Sequence, residues 1–429
     1  MIKADLVIEN ARQVITCRGK APKLRGEMMD LGLITQGWVA SYRGKISYVG
    51  EEKGFKEKVT LEKGCKVIDA SEAVVLPGLV DSHTHLVFGG SREVEFVQRL
   101  RGVSYQEIAR SGGGILSTVR ATRAASYQVL LRDARRRLDY MLRLGTTTCE
   151  AKSGYGQTVD DELKLLHISR ELHQSHPIDV VNTFLGAHTF PPEYLSRKEE
   201  YVDLLISEFL PRVREDGLAE FCDVFCEEGA FSLEQSRAIL ESGARLGFKL
   251  KLHADQLTSS GGAELAAELG AISADHLDYI SDRGIEMLAE KGVAAVLLPG
   301  SNFFLRLNRY PPARRMIEAG VPVALATDFN PGTAMNESMP LTITLACLEM
   351  GLFPEEAINA ATINSAYAVE LHKSLGSIEM GKKADFIICS IPNYLHLIYH
   401  WGINHVHTVV KDGKIVVKEG RIINQGRFP

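Results

Sequence analysis

The chain has 429 residues, 45% of them hydrophobic and 24% charged, enough for one large α/β domain plus a smaller one. A formal net charge of −5 argues against nucleic acid as a main partner. No stretch near Met1 has the long apolar core of a signal peptide, no apolar span is long enough for a membrane helix, and seven scattered cysteines suit a reducing cytoplasm, so a membrane role and a disulfide framework are both disfavoured.

The first ~70 residues read as short strands and turns, among them Leu6 to Asn10, Trp38 to Tyr42 and Lys45 to Val49, punctuated by Arg43-Gly44 and Gly50. An apolar run follows, Val74 to Val80, and ends in Asp81-Ser82-His83-Thr84-His85. Seven more apolar runs come later: Gly145 to Glu150, Val180 to Leu185, Cys222 to Phe225, Lys249 to His253, Ala271 to His276, Ala294 to Leu298 and Val323 to Asp328. Helical patterns fall between them, such as Ser232 to Leu246 and Gly262 to Glu268. Strands that alternate with helices and are apolar on both faces predict a parallel sheet, and eight such units predict a (β/α)8 barrel. An open doubly wound sheet would need a Gly-rich phosphate loop after an early strand. Ser111-Gly112-Gly113-Gly114 follows a helical segment instead. The last ~55 residues return to strand patterns, with Lys411-Asp412-Gly413-Lys414 as a hairpin turn. The expected architecture is α/β: a TIM-like barrel over residues 71–374, with a small β-sandwich domain formed by both termini, residues 1–70 and 375–429.

His83 and His85 are two apart at a strand end, so both rings point to one side, as a metal ion requires. Alone the pair is weak, because His405 and His407 have the same spacing. It gains weight from polar residues at the ends of later strands: Glu150 to Tyr155, His188, Cys226-Glu227-Glu228, His253 to Gln256, Asp275-His276 and Asp328 to Thr333. His83, His85, His253 and Asp328 offer three nitrogens and one carboxylate, a set suited to zinc, iron or manganese with a water in an open position. Such an ion lowers the pKa of its water towards neutrality.

This pattern resembles the amidohydrolase superfamily over essentially the whole chain. Within it, the stretches Gly112 to Arg123, Lys152-Ser153-Gly154-Tyr155-Gly156, Gly186-Ala187-His188, His253-Ala254-Asp255-Gln256 and Thr327 to Thr333 resemble the imidazolonepropionase family of histidine degradation. The resemblance implies hydrolysis of the cyclic C–N bond of 4-imidazolone-5-propanoate to N-formimidoyl-L-glutamate, one metal ion (zinc or iron), a homodimer and a cytoplasmic location. It makes His83, His85, His253 and Asp328 the metal ligands and Asp328 and His276 the catalytic pair. Asp328 would carry the proton from water to the departing nitrogen, while His276 stabilises the oxyanion. Arg92, seven residues beyond His85, would clamp the propanoate. Tyr155, His188, Gln256, Asn330, Gly332 and Thr333 would complete the substrate contacts. Two-metal relatives carry a bridging carboxylated lysine or a glutamate on the fourth strand. Here Glu227 and Glu228 stand there, and the expectation is one metal with Glu227 outside the ligand set.

Other features have plainer readings. The basic run Arg132 to Arg137 reads as a solvated helix face, and His167, His173 and His176 as a solvent-facing helix end. Cys222 and Cys226 read as buried strand residues. His396 and His400 fall in a very short segment. Arg120 and Arg123 have structural and substrate-contact readings alike, and the role of Lys152 stays open in the same way, ordering of the Tyr155 loop being one reading. The rival functions are a nucleobase deaminase, a cyclic amidase and a non-catalytic relative. A deaminase would carry a glutamate where Gln256 stands, a hydantoinase-like amidase would want a fourth-strand lysine, and a dead relative would lack some of the four ligands.

Overall fold

The computed structural model describes residues 1–103, 107–108 and 112–423. Ser111 of the Gly-rich run and the terminal residues 424–429 lie outside them. Eight parallel strands follow one another around a barrel: Leu79–Asp81, Thr146–Lys152, Asp179–Ala187, Phe221–Cys226, Lys249–Ala254, Ser273–His276, Ala294–Leu297 and Val323–Leu325. Each pairs in parallel with the next. The first and last meet beyond their ends. Thr84 and Phe329 form a parallel bridge, Asp328 N–H donates to the His83 carbonyl at 3.1 Å, and His85 N–H donates to the Phe329 carbonyl at 2.8 Å.

Helices pack outside the barrel, as the periodicity predicts. Leu233–Arg245 starts at Ser232, whose hydroxyl accepts from Gln235 N–H while the Gln235 side chain accepts from Ser232 N–H, a reciprocal cap. The helix Gly262–Glu268 has the span expected from the sequence.

A second, mixed sheet of nine strands joins the two chain ends. Ile2–Val14 lies within it, beside Ile34–Tyr42, Val59–Asp69 and Val74–Pro77. The C-terminal strands Phe386–Cys389, Val406–Lys411 and Lys414–Lys418 continue it. Asp412 and Gly413 turn the hairpin between Val406–Lys411 and Lys414–Lys418 with φ of 48° and 71°, as an Asp-Gly turn requires. Leu6, Val39, Phe386 and Val410 belong to the core beneath this sheet.

One reading of the sequence needs correction. Val74 to Val80 is not one barrel strand: Val74–Pro77 pairs with Ile2–Val14 and Phe386–Cys389, and only Leu79–Asp81 enters the barrel. The chain changes sheet at Gly78. A Cβ there would overlap the Thr147 side chain, so the residue between the two strands has no room for a side chain. Periodicity alone reports a buried run here and cannot say which sheet buries it.

Candidate metal centre

His83 and His85 lie just beyond the first barrel strand, His253 is the penultimate residue of the fifth, His276 ends the sixth and Asp328 follows the eighth. All five are at most 3% exposed. Ligand atoms of His83, His85 and Asp328 lie within 4.8 Å of one another, and so do those of His83, His253 and His276. Asp328 Oδ1 stands 3.5 Å from His83 Nε2 and 3.7 Å from His85 Nε2.

The donor set fits a metal ion on an independent ground. His83 Nδ1 is held by Asp275 at 2.6 Å, and His253 Nδ1 by Asp223 at 3.1 Å. With each Nδ1 taken, each Nε2 is buried and has no hydrogen-bond partner. A buried polar atom left unmatched is costly unless something binds it. Burial, reinforced by the Lys152 charge at His83 and His253 and by His188 at His85, holds all three rings well below the ordinary imidazole pKa. Neutral imidazole is the form that binds metal. Burial also pushes the Asp328 carboxyl up to about 8, against hydrogen bonds from Asn330 and Ser301. It lowers His276 to about 3, leaving that ring neutral.

The strand ends are bent to make this cluster. Asp255, His276, Leu277 and Asp328 all have positive φ, between 50° and 76°, a region non-glycine residues enter at a cost and mostly at functional sites.

Around the cluster, the His188 ring stacks on His85 with centroids 4.8 Å apart and planes 12° apart. Tyr155 lies 5.6 Å from His85 and 5.3 Å from His188. Arg92 precedes the helix Glu93–Leu100 and is 8% exposed in its side chain; its Nε donates to Glu95 at 2.8 Å. The guanidinium lies over Gly332, where a Cβ would overlap Nη1. Loops after the first and eighth strands therefore meet at the Arg92 side chain. Asn330 is fully occupied: Oδ1 accepts from Gly332 and Thr333 N–H at 2.8 Å each, while Nδ2 donates to the Asp328 carbonyl and Thr333 Oγ1 at 2.7 Å each. Gln256 sits half-buried on the loop after the fifth strand.

Glu227 is engaged by its own loop and the next one. Its carboxylate accepts from Glu228 N–H, from Leu257 N–H at 2.8 Å, and from the Thr258 backbone and hydroxyl. Lys152, whose role the sequence leaves open, sits among ion pairs rather than on the Tyr155 loop: it lies buried between Asp223 at 2.7 Å, Glu150 at 3.0 Å and Asp275 at 3.3 Å. Glu162 holds that loop instead, accepting from Gly154, Gly156 and Gln157 N–H at 2.9, 2.7 and 2.9 Å. Arg123 donates to the Gly156 carbonyl at 2.6 Å, and Arg120 to the Gly112 carbonyl.

Three further expectations fail. Arg137 is buried, stacks on Phe88 at 3.4 Å and donates to the Leu86 and Phe88 carbonyls. His176 is 0% exposed and accepts from Ile178 N–H, and His173 accepts from Val180 N–H. Each of these polar groups meets a backbone partner that strand and helix periodicity does not reveal. His405 and His407 form no ligand cluster among the described residues: one faces the His400 carbonyl, the other Thr408.

A parallel barrel with histidines and an aspartate gathered at its C-terminal mouth defines a metal-dependent hydrolase. Residues 74–416 match the amidohydrolase family, and the chain belongs to it. Its relatives narrow the class. The imidazolonepropionase of Geobacillus kaustophilus is 50% identical over 423 residues, spanning 97% of this chain and 99% of the relative. That of Alkaliphilus metalliredigens is 48% identical over 420 residues, spanning 98% and 99%. Among solved structures, a zinc-bound adenosine deaminase from Xanthomonas campestris superposes with a TM-score of 0.71 at 20% identity, over 99% of this chain and 95% of that one. The zinc complex of an atrazine chlorohydrolase from Arthrobacter aurescens gives 0.68 at 17% identity, over 97% and 96%. These distant structures share the fold; the curated relatives place the chain among the imidazolonepropionases.

Proposed function

We propose that this barrel mouth hydrolyses 4-imidazolone-5-propanoate to N-formimidoyl-L-glutamate, using one ion of zinc or iron held by His83, His85, His253 and Asp328. The observation that carries the site assignment is the pair of buried, unmatched Nε2 atoms of His83 and His253 beside the Asp328 carboxylate.

A bound divalent ion supplies Lewis acidity, polarising a carbonyl and making water a better nucleophile. The protein supplies the rest. Asp328 takes a proton from the water and passes it to the departing ring nitrogen. The amide C–N bond breaks; the carbonyl carbon becomes a carboxylate and the nitrogen remains on the formimidoyl group. His276, neutral and with an unmatched Nδ1, faces the oxygen on which negative charge develops. Arg92 binds the propanoate, and Tyr155 and His188 bound the ring pocket. Asn330 shapes the loop that presents Gly332 and Thr333, and Gln256 contributes a neutral polar contact. Gln256 cannot relay a proton, which sets the site apart from nucleobase deaminases.

The same reading keeps residues 1–70 and 375–429 as a composite domain and 71–374 as the barrel domain, with Val74–Pro77 lent to the composite sheet. It carries a homodimer, which sedimentation measures directly. It also carries a cytoplasmic location, in keeping with seven free cysteines; among the described residues, no helix is long and apolar enough to cross a membrane.

The test follows loss of imidazolonepropionate by the wild type and by Arg92→Ala. The variant should raise KM about 10- to 100-fold, the range of a hydrogen bond to a charged group. A wild type that ignores this compound and deaminates a nucleobase would refute the substrate. An unchanged KM would refute the clamp.

A further inference from the structure

One layer below the metal-facing atoms, the barrel interior holds five ionisable groups that are 0% exposed in their side chains: Glu150 and Lys152 on the second strand, Asp223 on the fourth, Lys251 on the fifth and Asp275 on the sixth. Three carboxyl side chains face two lysine side chains. The connections are uneven. Lys251 pairs with Glu150 at 3.3 Å, and its charge acts on Asp223 and Asp275 from farther away. Lys152 reaches all three carboxylates and, among the described residues, is the one group in ion-pair contact with both Asp223 and Asp275.

Those two aspartates are the partners of His253 Nδ1 and His83 Nδ1. A carboxylate on Nδ1 fixes the tautomer that leaves Nε2 free for a metal and fixes the plane of the ring. Asp275 is further held by the Ser273 hydroxyl at 2.6 Å. Asp223 is held by Lys152 and by the histidine it orients. We infer that Lys152 is a positioning residue of the metal centre: its ammonium locks Asp223 and Asp275 as a pair, and through them aims the His253 and His83 rings at one point. This rests on the reading that these histidines hold a metal.

The inference has a sign that separates it from plain electrostatics. A fixed positive charge beneath a metal repels it, so Coulomb's law alone makes removal of Lys152 tighten metal binding. Positioning makes removal loosen it.

The experiment titrates metal-free wild type, Lys152→Met, Asp275→Asn and the double variant with zinc against a chelating indicator. Circular dichroism checks folding, and the visible spectrum of the cobalt-loaded proteins reports ligand geometry. Lys152→Met and Asp275→Asn should each bind zinc about 10- to 100-fold more weakly, the range seen when partners of metal ligands are removed. The double variant should lose little beyond the weaker single one, and the cobalt bands of Lys152→Met should shift. Unchanged or tighter zinc binding by Lys152→Met, or full additivity, overturns the inference. If Lys152→Met does not fold, Asp223→Asn and Asp275→Asn replace it: the shared ammonium predicts non-additive losses, and additive ones overturn the inference. A wild type that binds neither zinc nor cobalt refutes the metal reading itself, whereas equal binding by wild type and Lys152→Met refutes the positioning role alone.

Discussion

A single methyl group at position 332 would run into the Arg92 guanidinium. That guanidinium is also tied to Glu95, whose other oxygen accepts from Gly114 N–H at 3.0 Å. Gly332→Ala should therefore displace the clamp without touching the metal ligands. We expect KM to rise about tenfold, one lost charge-assisted contact, with kcat changed less than threefold, as steady-state kinetics would show. An unchanged KM would mean that Arg92 has room to move aside. Asp328 illustrates how much one residue carries. Its backbone closes the barrel against His83 in a left-handed conformation with φ of 55°, and its side chain faces two histidines. The surrounding hydrogen bonds must offset that strain, roughly 1–3 kcal/mol for such a conformation.

Three of the loops around the cluster are each fastened by one buried carboxylate. Glu162 gathers three backbone N–H groups of the Tyr155 loop, Glu227 the 257–258 turn and Asp255 the amides of Ser260, Gly261 and Ala263. In Glu162→Ala three amides lose their acceptor, at about 1–3 kcal/mol for each left buried and unpaired. The expected outcome is faster hydrogen exchange across residues 154–157 and a lower kcat/KM, with zinc content unchanged. Protection equal to the wild type would show that Arg123 alone holds the loop. These fasteners also mark where sequence reading stops. The eight strands were legible because each is an apolar run between helical patterns, and the clustered histidines and aspartate were legible because they recur at strand ends. The charged layer beneath them was missed, though Lys249-Leu250-Lys251-Leu252-His253 alternates polar and apolar residues. Alternation places Lys251 on the same side as His253, a signal that Glu150 and Lys152 repeat. Partner choice across strands was not legible, since it depends on register: Lys251 stands opposite Asp223, and His253 opposite Asp275.

The two sheets are joined by buried ions as well as by the chain crossing at Gly78. Lys411 of the terminal sheet is 2% exposed in its side chain and contacts Asp385 at 2.7 Å and Asp179 of the third barrel strand at 2.8 Å; Lys383 reaches the same Asp179 oxygen at 2.8 Å. Burial would raise the Asp179 carboxyl, but the two ammoniums overcome it and hold that group well below the usual carboxylate range. Because the folded-state value is depressed, its contribution to stability is present above the ordinary pKa of about 4 and is lost as pH falls below it. Lys411→Met should cost roughly 3–5 kcal/mol at neutral pH, the range for breaking a buried pair, and should flatten the acid limb of stability against pH in denaturant melts. A loss under 1 kcal/mol would mean that Lys383 suffices. The seam of the barrel has a consequence in time. Its closing bonds join His83 and His85 to Asp328 and Phe329, residues from opposite ends of the barrel segment. A chain emerging from the ribosome carries two of the four proposed ligands early and the last only when the eighth strand is made. On the proposed ligand set, ion capture is thus a late event in the birth of this molecule, and a chain truncated before Asp328 has no complete place to put the metal.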